Sequence, residues 1–361
     1  MAHDCNMRCA YCFASAGSFG SSRSLMPAET AKRAIDFVAA SSGPRRNIEI
    51  DFFGGEPLLN LGAIKEAVAY ARGIEGKAGK RFRFTLTTNG LLLDGEAARF
   101  VNENMDNLVL SADGRRHVHD AMRKDLSGGG TYDEVVPRLA RAAGARGGKS
   151  YYVRGTYTAR NKDFAADVLH LASLGFEHIS VEPAVSPADP ELEFAPGDLA
   201  ELLAEYERLA AAVHESRAEG RRPIDFFHFN YRADDGPCRA RRRKGCGAGY
   251  EYAAVAPDGG LYPCHQFAGR PEFRLGDVRQ GVTAHGLRDA FRKAGALSAP
   301  PCSRCWAKYF CGGGCAANAW HYNRDIAKPN PFYCELQKKR LECAIWLHVK
   351  SFSLENQSHF F

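Results

Sequence analysis

Three cysteines stand together near the start of the chain, in Cys5-Asn6-Met7-Arg8-Cys9-Ala10-Tyr11-Cys12. Three thiolates on one short loop can hold three corners of a [4Fe–4S] cluster and leave the fourth iron open to a substrate. That pattern suggests catalysis, where four cysteines would suggest electron storage or structure. Zinc is the competing reading, and it would need a fourth ligand such as His3. Further on, Gly54-Gly55-Glu56-Pro57 follows a β-like run. Its glycines would let the backbone approach a ligand closely, and the Glu56 carboxylate suits a cationic amine. A third constellation is C-terminal: Cys246, Gly259, Cys264, Cys302, Cys305, Cys311, Cys315 and Cys334, with Cys238 before them and Cys343 after. Nine of the twelve cysteines lie from Cys238 onward, so this part reads as a domain held together by metal more than by an apolar core. Cys343 lies on a helical pattern and reads as a buried core thiol.

The elements that must position these residues alternate in type through the first half. Short apolar or β-branched runs at 47–53, 81–88, 107–112, 150–158 and 178–182 read as strands. Helical patterns cover 27–41, 61–77, 94–104, 132–146 and 163–174, with Pro27 suited to a first turn. Repeated strand–helix units build a parallel sheet with right-handed crossovers. In barrels of this kind the active site lies at the C-terminal ends of the strands. The polar, Gly-rich stretches 54–57, 87–90, 111–114 and 181–183 fall there. Residues 184–196 read as a Pro- and acid-rich linker, and 197–219 as a long helix. The expected division is a partial barrel over 1–190, a linker helix region over 191–235 and a cysteine-rich domain over 236–361.

Composition narrows the class. A chain of 361 residues has room for two domains. With 45% hydrophobic and 25% charged residues it reads as a soluble globular protein. Twelve cysteines in so long a chain do not suit a disulfide scaffold, which is small and secreted. Metal or iron–sulfur ligation in a reducing compartment fits better. No apolar run approaches the roughly 20 residues needed to span a bilayer, and no secretory signal is visible. The expectation is a cytoplasmic protein with no membrane partner. The formal charge of +6 counts every thiol as neutral. With eleven cysteines on three clusters it falls to about +1, so the basic balance is a weak argument for nucleic acid. Arg239, Arg241, Arg242, Arg243 and Lys244 form a local basic run that reads as a solvated loop.

Taken together, the cysteine loop and the Gly54–Pro57 turn resemble the radical S-adenosylmethionine (SAM) superfamily. The resemblance implies that Cys5, Cys9 and Cys12 hold the catalytic cluster, and that Tyr11, Gly54, Gly55, Glu56 and Pro57 line the SAM site. It extends to Ser111-Ala112-Asp113-Gly114 followed by His119, Asp120 and Arg123, a segment like that of peptide-modifying members. Further SAM contacts are thereby implied at Asn89, Ser111, Asp113, Arg123, Arg154 and Glu182, with the Arg154 guanidinium suited to a carboxylate. The C-terminal cysteines resemble the SPASM domain, which carries two auxiliary [4Fe–4S] clusters. Its ligation pattern implies Cys302, Cys305, Cys311 and Cys334 for a distal cluster. It implies Cys246, Cys264 and Cys315 for a proximal one, whose fourth corner is either Cys238 or a position open to a substrate thiolate. The expected fold class is thus α/β: a partial (β/α)6 radical SAM barrel with its first strand missing, followed by a SPASM iron–sulfur domain.

Residues 2–14, 45–60, 151–158 and 302–330 look like maturases of SCIFF peptides, ribosomally made substrates with six cysteines in forty-five residues. That resemblance implies an oxidoreductase joining a cysteine sulfur to an α-carbon, as in sactipeptides. It implies SAM and three [4Fe–4S] clusters as cofactors, with a cysteine-rich precursor peptide and a flavodoxin- or ferredoxin-like electron donor as partners. A formylglycine-forming anaerobic sulfatase-maturing enzyme stays open. That family carries an aspartate base directly after a proximal-cluster cysteine, where this chain has His265, itself a candidate base. A non-catalytic electron-transfer protein is the reading from another class. Members of the family have a strand, and before it a peptide-binding domain, ahead of the cysteine loop, whereas only residues 1–4 precede Cys5 here. The expectation is therefore a truncated gene product, with five barrel strands and an unpaired edge beside the active site. Residues 349–361 show no clear pattern.

Overall fold

The computed structural model describes residues 1–185, 187, 189–230, 245–296 and 300–358. Cys238 and the basic run 239–244 lie outside the described residues. The chain forms two compact units that interleave along the sequence. One takes Met1–Ala112, Arg116–Arg154 and Ala248–Ala290; the other takes Asp113–Arg115 and the described parts of 155–247 and 291–361.

In chain order the elements of the first half are β1 (Met7–Cys9), α1 (Ala28–Ser41), β2 (Asn47–Phe52), α2 (Leu61–Ala78), β3 (Arg81–Thr88), α3 (Gly95–Asn104), β4 (Asn107–Ser111), α4 (Arg116–Met122), β5 (Arg123–Asp125), α5 (Tyr132–Gly144), β6 (Ser150–Tyr157), α6 (Phe164–Ser173) and β7 (His178–Pro183). Then come α7 (Leu199–Ala218) and β8 (Asp225–Phe226). The main sheet has the order β2-β3-β4-β6-β7-β8, and every strand pair with a defined register is parallel. All five expected strands are present. The strand count itself needs correcting to six, because β8 pairs with β7 through His178↔Asp225 and Ile179↔Phe226. Two residues are too few to leave a periodic signal.

Alternation along the strands explains their two faces. In β3, Phe82, Phe84 and Leu86 are sealed from water while Arg81, Arg83, Thr85 and Thr87 alternate with them on the opposite face. The helix α2 buries Ala63, Ile64, Ala67, Val68 and Ala71, spaced to one stripe. The expected open edge of β2 is partly covered. Residues 1–4 run beside its C-terminal end, where Ala2 forms a parallel bridge with Gly54 and an antiparallel one with Leu25. A small antiparallel sheet of Ala254–Val255, Gly260–Tyr262, Gly276–Asp277 and Gly281–Val282 belongs to the same unit.

The second unit packs α7 on the C-terminal helix Pro331–Ser358. Leu202, Tyr206, Leu209 and Val213 of α7 are buried, as are Leu336, Leu341, Cys343, Ala344 and Leu347 of the partner helix. The patternless tail is thus corrected over most of its length, since the helix continues to Ser358.

Candidate active site

The cysteine loop is shaped by its own backbone. Cys5 Sγ accepts the Met7 N–H at 3.4 Å and faces Asn89 Nδ2 at 3.7 Å. The Cys12 N–H donates to the Cys9 carbonyl at 3.1 Å. Arg8 Nη1 gathers the carbonyls of Cys5 and Met7, each at 2.8 Å. Strand β1 pairs antiparallel with β5, Cys9 opposite Arg123, and Arg123 Nη1 donates to the Tyr11 hydroxyl at 2.8 Å. Burial pushes the Cys5 thiol up to about 11, with Glu56 and Cys12 adding negative charge nearby and Arg123 opposing them. A half-buried thiol with an N–H donor and a neighbouring thiol is a donor that a cluster's iron would stabilise as thiolate. The three thiols therefore fit a cluster.

The Gly54–Pro57 turn meets this loop, and its glycines let the two backbones approach closely. A Cβ on Gly55 would stand 2.0 Å from the Asp4 carbonyl oxygen, and one on Gly54 would stand 2.4 Å from that of Ala2. The Gly55 and Glu56 N–H groups donate to those same carbonyls at 2.8 and 2.9 Å. Glu56 is fully buried. Its carboxylate accepts from Leu58 N at 3.0 Å, Thr88 Oγ1 at 2.9 Å and Asn89 N at 2.8 Å, joining the ends of β2 and β3. Burial lifts its carboxyl to about 7 against the pull of those donors. Asn89 reaches Asn6 Oδ1 at 2.8 Å, so it braces the cysteine loop as well. Thr88, which the sequence did not single out, is part of this staple.

Ser111 and Arg154 lie opposite each other on β4 and β6, half-buried and exposed respectively. Asp113 is sealed and accepts the Thr156 N–H at 3.0 Å. Arg154 is one side of a cluster that sequence reading missed in part. Its charge acts on both Asp51 and His265. Desolvation raises the Asp51 carboxyl to about 6, against the opposing pull of the Thr87 hydroxyl, Arg154 and the N-terminal amine. Desolvation and Arg154 hold His265 down at about 4, so its imidazole is neutral near neutral pH. The His265 ring lies 4.8 Å from Phe53 and 5.5 Å from Phe13, and Nδ1 is 3.2 Å from the Tyr252 hydroxyl. The only sign of Asp51 in the sequence is an acid on the alternate face of an apolar strand.

In the second unit, Cys302, Cys305, Cys311 and Cys334 lie within one another's fields. Desolvation leads, and the neighbouring thiols add to it, in raising Cys302 and in raising Cys334 to about 11. Cys311 receives backbone N–H groups from Gly313 and Gly314. Cys315 precedes the helix Ala316–Asn323 and receives those of Ala317 and Asn318, with Cys246 close by. Cys264 belongs to the first unit, where it is buried at the start of the turn His265–Phe267. No disulfide joins the described cysteines. Among the described residues no three His, Cys, Asp or Glu side chains converge as a single metal ion requires. Glu182, expected at the SAM site, accepts from Arg340 Nη2 at 3.1 Å and pairs with His228 Nε2 at 3.3 Å. Cys343 is buried, as its helical pattern implies.

Residues 1–158 match the model of the radical SAM superfamily. The chain is 26% identical over 144 residues to a cysteine-type anaerobic sulfatase-maturating enzyme of Clostridium novyi, covering 38% of this chain and 37% of that enzyme. Its fold is similar to that of anSMEcpe with bound AdoMet, with a TM-score of 0.77 at 20% identity over 97% of both chains. The same protein with AdoMet and the Kp18Cys peptide gives a TM-score of 0.75 over 97% of both chains, also at 20% identity. Streptococcus suis SuiB bound to S-adenosylmethionine gives 0.63 at 16% identity, over 91% of this chain and 74% of that one. Among the described residues no helix is long and apolar enough to cross a membrane. The three-cysteine loop lies within the segment that matches the radical SAM superfamily model, and the fold over nearly the whole chain, a parallel α/β sheet followed by a cysteine-rich region, is similar to that of anSMEcpe.

Proposed function

We propose that this chain modifies a cysteine-rich, ribosomally made peptide of the SCIFF kind, joining a cysteine sulfur to an α-carbon. The observation that carries the reading is the Cys5–Cys9–Cys12 loop seated on Gly54, Gly55 and Glu56, with neutral His265 packed on Phe53 at the same strand end. Cys5, Cys9 and Cys12 would hold the SAM-binding cluster, Ser111 would touch the SAM methionine or ribose, and Arg154 would pair with the SAM carboxylate. Cys302, Cys305, Cys311 and Cys334 would hold a distal auxiliary cluster; Cys246, Cys264 and Cys315 would hold a proximal one. With SAM bound, these groups supply a 5′-deoxyadenosyl radical that takes hydrogen and acceptors for the electron left over. The protein's own part is to orient the peptide, exclude water and receive the proton that the attacking thiol releases. With Nδ1 directed to Tyr252, His265 keeps Nε2 for that proton. An electron-carrier protein completes the balance. The division into a barrel (1–190), a linker region (191–235) and a cysteine-rich domain (236–361) belongs to the same proposal.

Mass spectrometry after anaerobic incubation with SAM, reductant and a six-cysteine peptide tests the reading. A loss of about 2 Da per crosslink is expected, two hydrogens leaving the peptide. Formylglycine formation is the second reading, favoured by the likeness to sulfatase-maturating enzymes in sequence and fold. It predicts instead that a cysteine of a sulfatase-derived peptide loses its sulfur and two hydrogens and gains one oxygen, a net loss of about 18 Da.

A further inference from the structure

We propose that Arg123 is the buried clamp and counter-charge of the N-terminal cysteine loop, a positioning residue that raises the reduction potential of a cluster held there. Its side chain is 6% exposed. One arm of the guanidinium donates to Tyr11 between two of the cysteines, and the other lies 3.9 Å from Met7 Sδ. Its backbone pairs with Cys9, and Ala10 N donates to Met122 O at 2.9 Å. A planar fork makes both side-chain contacts at once, which a lysine cannot.

The rest of the motif braces Arg123 from behind. Thr131 Oγ1 donates to the Arg123 carbonyl at 2.8 Å, and His119 Nε2 bonds the same hydroxyl at 3.1 Å. Asp120 Oδ1 accepts the Tyr132 N–H at 2.8 Å. Gly130 leaves room for that carboxylate, since a Cβ there would stand 2.3 Å from Asp120 Cγ. His119, Asp120 and Arg123 thus form one scaffold under the loop. The charge of Arg123 also reaches Cys5 and Glu56. Reduction adds negative charge to a cluster, and a fixed cation in a poorly solvated site favours that state.

The inference rests on Cys5, Cys9 and Cys12 being cluster ligands, which an iron count on Cys5→Ala protein checks separately. Arg123→Met, Arg123→Lys and Tyr11→Phe are reconstituted anaerobically, and the SAM-responsive electron paramagnetic resonance signal is titrated against potential. In Arg123→Met the signal should titrate more negatively, the reduced-to-oxidised ratio at fixed potential falling about tenfold, which is about 59 mV for one electron. Arg123→Lys should hold the potential, while both it and Tyr11→Phe lose iron faster to a chelator. An unchanged midpoint in Arg123→Met overturns the proposal. Weakened SAM affinity at that unchanged midpoint would make Arg123 a SAM contact instead. Should Arg123→Met retain no iron, unaltered iron retention in both other variants overturns it.

Discussion

Glu56 has no exposed surface, and its two oxygens answer three donors, one in its own turn and two at the end of β3. Removing the carboxylate leaves those buried donors unpaired, each at roughly 1–3 kcal/mol. Glu56→Ala should therefore lower the unfolding free energy by about 3 kcal/mol or more, as read by urea denaturation. His119 carries a pH dependence of definite sign. Burial first, then Arg123, holds its imidazole at about 3 against an ordinary 6.5. Between those values the unfolded chain takes a proton that the folded chain refuses. The contribution is complete above pH 6.5 and is lost as pH falls, by about 1.4 kcal/mol per unit. His119→Gln should flatten that slope in unfolding curves taken between about pH 4 and 7. A slope as steep as the parent's would mean that other groups set it.

At the scale of elements, the end of β2 and the cysteine loop are locked by backbone proximity. Gly55→Ala drives a methyl into the Asp4 carbonyl, the same group that accepts the Glu56 N–H. We expect it to displace the loop, so that anaerobic reconstitution yields less iron and no SAM-responsive signal. Gly73 lies inside α2, where an added Cβ meets nothing within 4 Å. Gly73→Ala should leave iron loading intact and stabilise the protein by about 1 kcal/mol, measured as a rise in melting temperature. The main strands and helices were legible because each repeats its apolar residues at period 2 or 3.6 over several turns or pleats. Strand β8 was not, because two residues carry no period, and neither was the pairing of residues 1–4 beside β2.

For the whole molecule the proposal requires three clusters. Anaerobically reconstituted protein should carry about 12 iron atoms per chain. Replacing Cys302, Cys305, Cys311 and Cys334 by Ala should remove about four of them and leave the SAM-responsive signal in place. Retention of all the iron would mean that these four mutually coupled thiols do not share a cluster.

The sequence by itself determined which residues can ligate metal, where the regular elements run and which strand ends carry polar turns. These follow from residue type, spacing and local periodicity. The tertiary structure decided who faces whom. Arg123 meets Tyr11 across 112 residues of chain, and Glu56 meets Asn89 across 33. Glu56, Asp113 and Arg123 also hold partners within the protein that their spacing along the chain does not announce. Asp51, Arg154 and His265 become electrostatic neighbours only in the folded chain. Hydrogen-bond partners and desolvation depend on distance in space, which spacing along the chain does not encode.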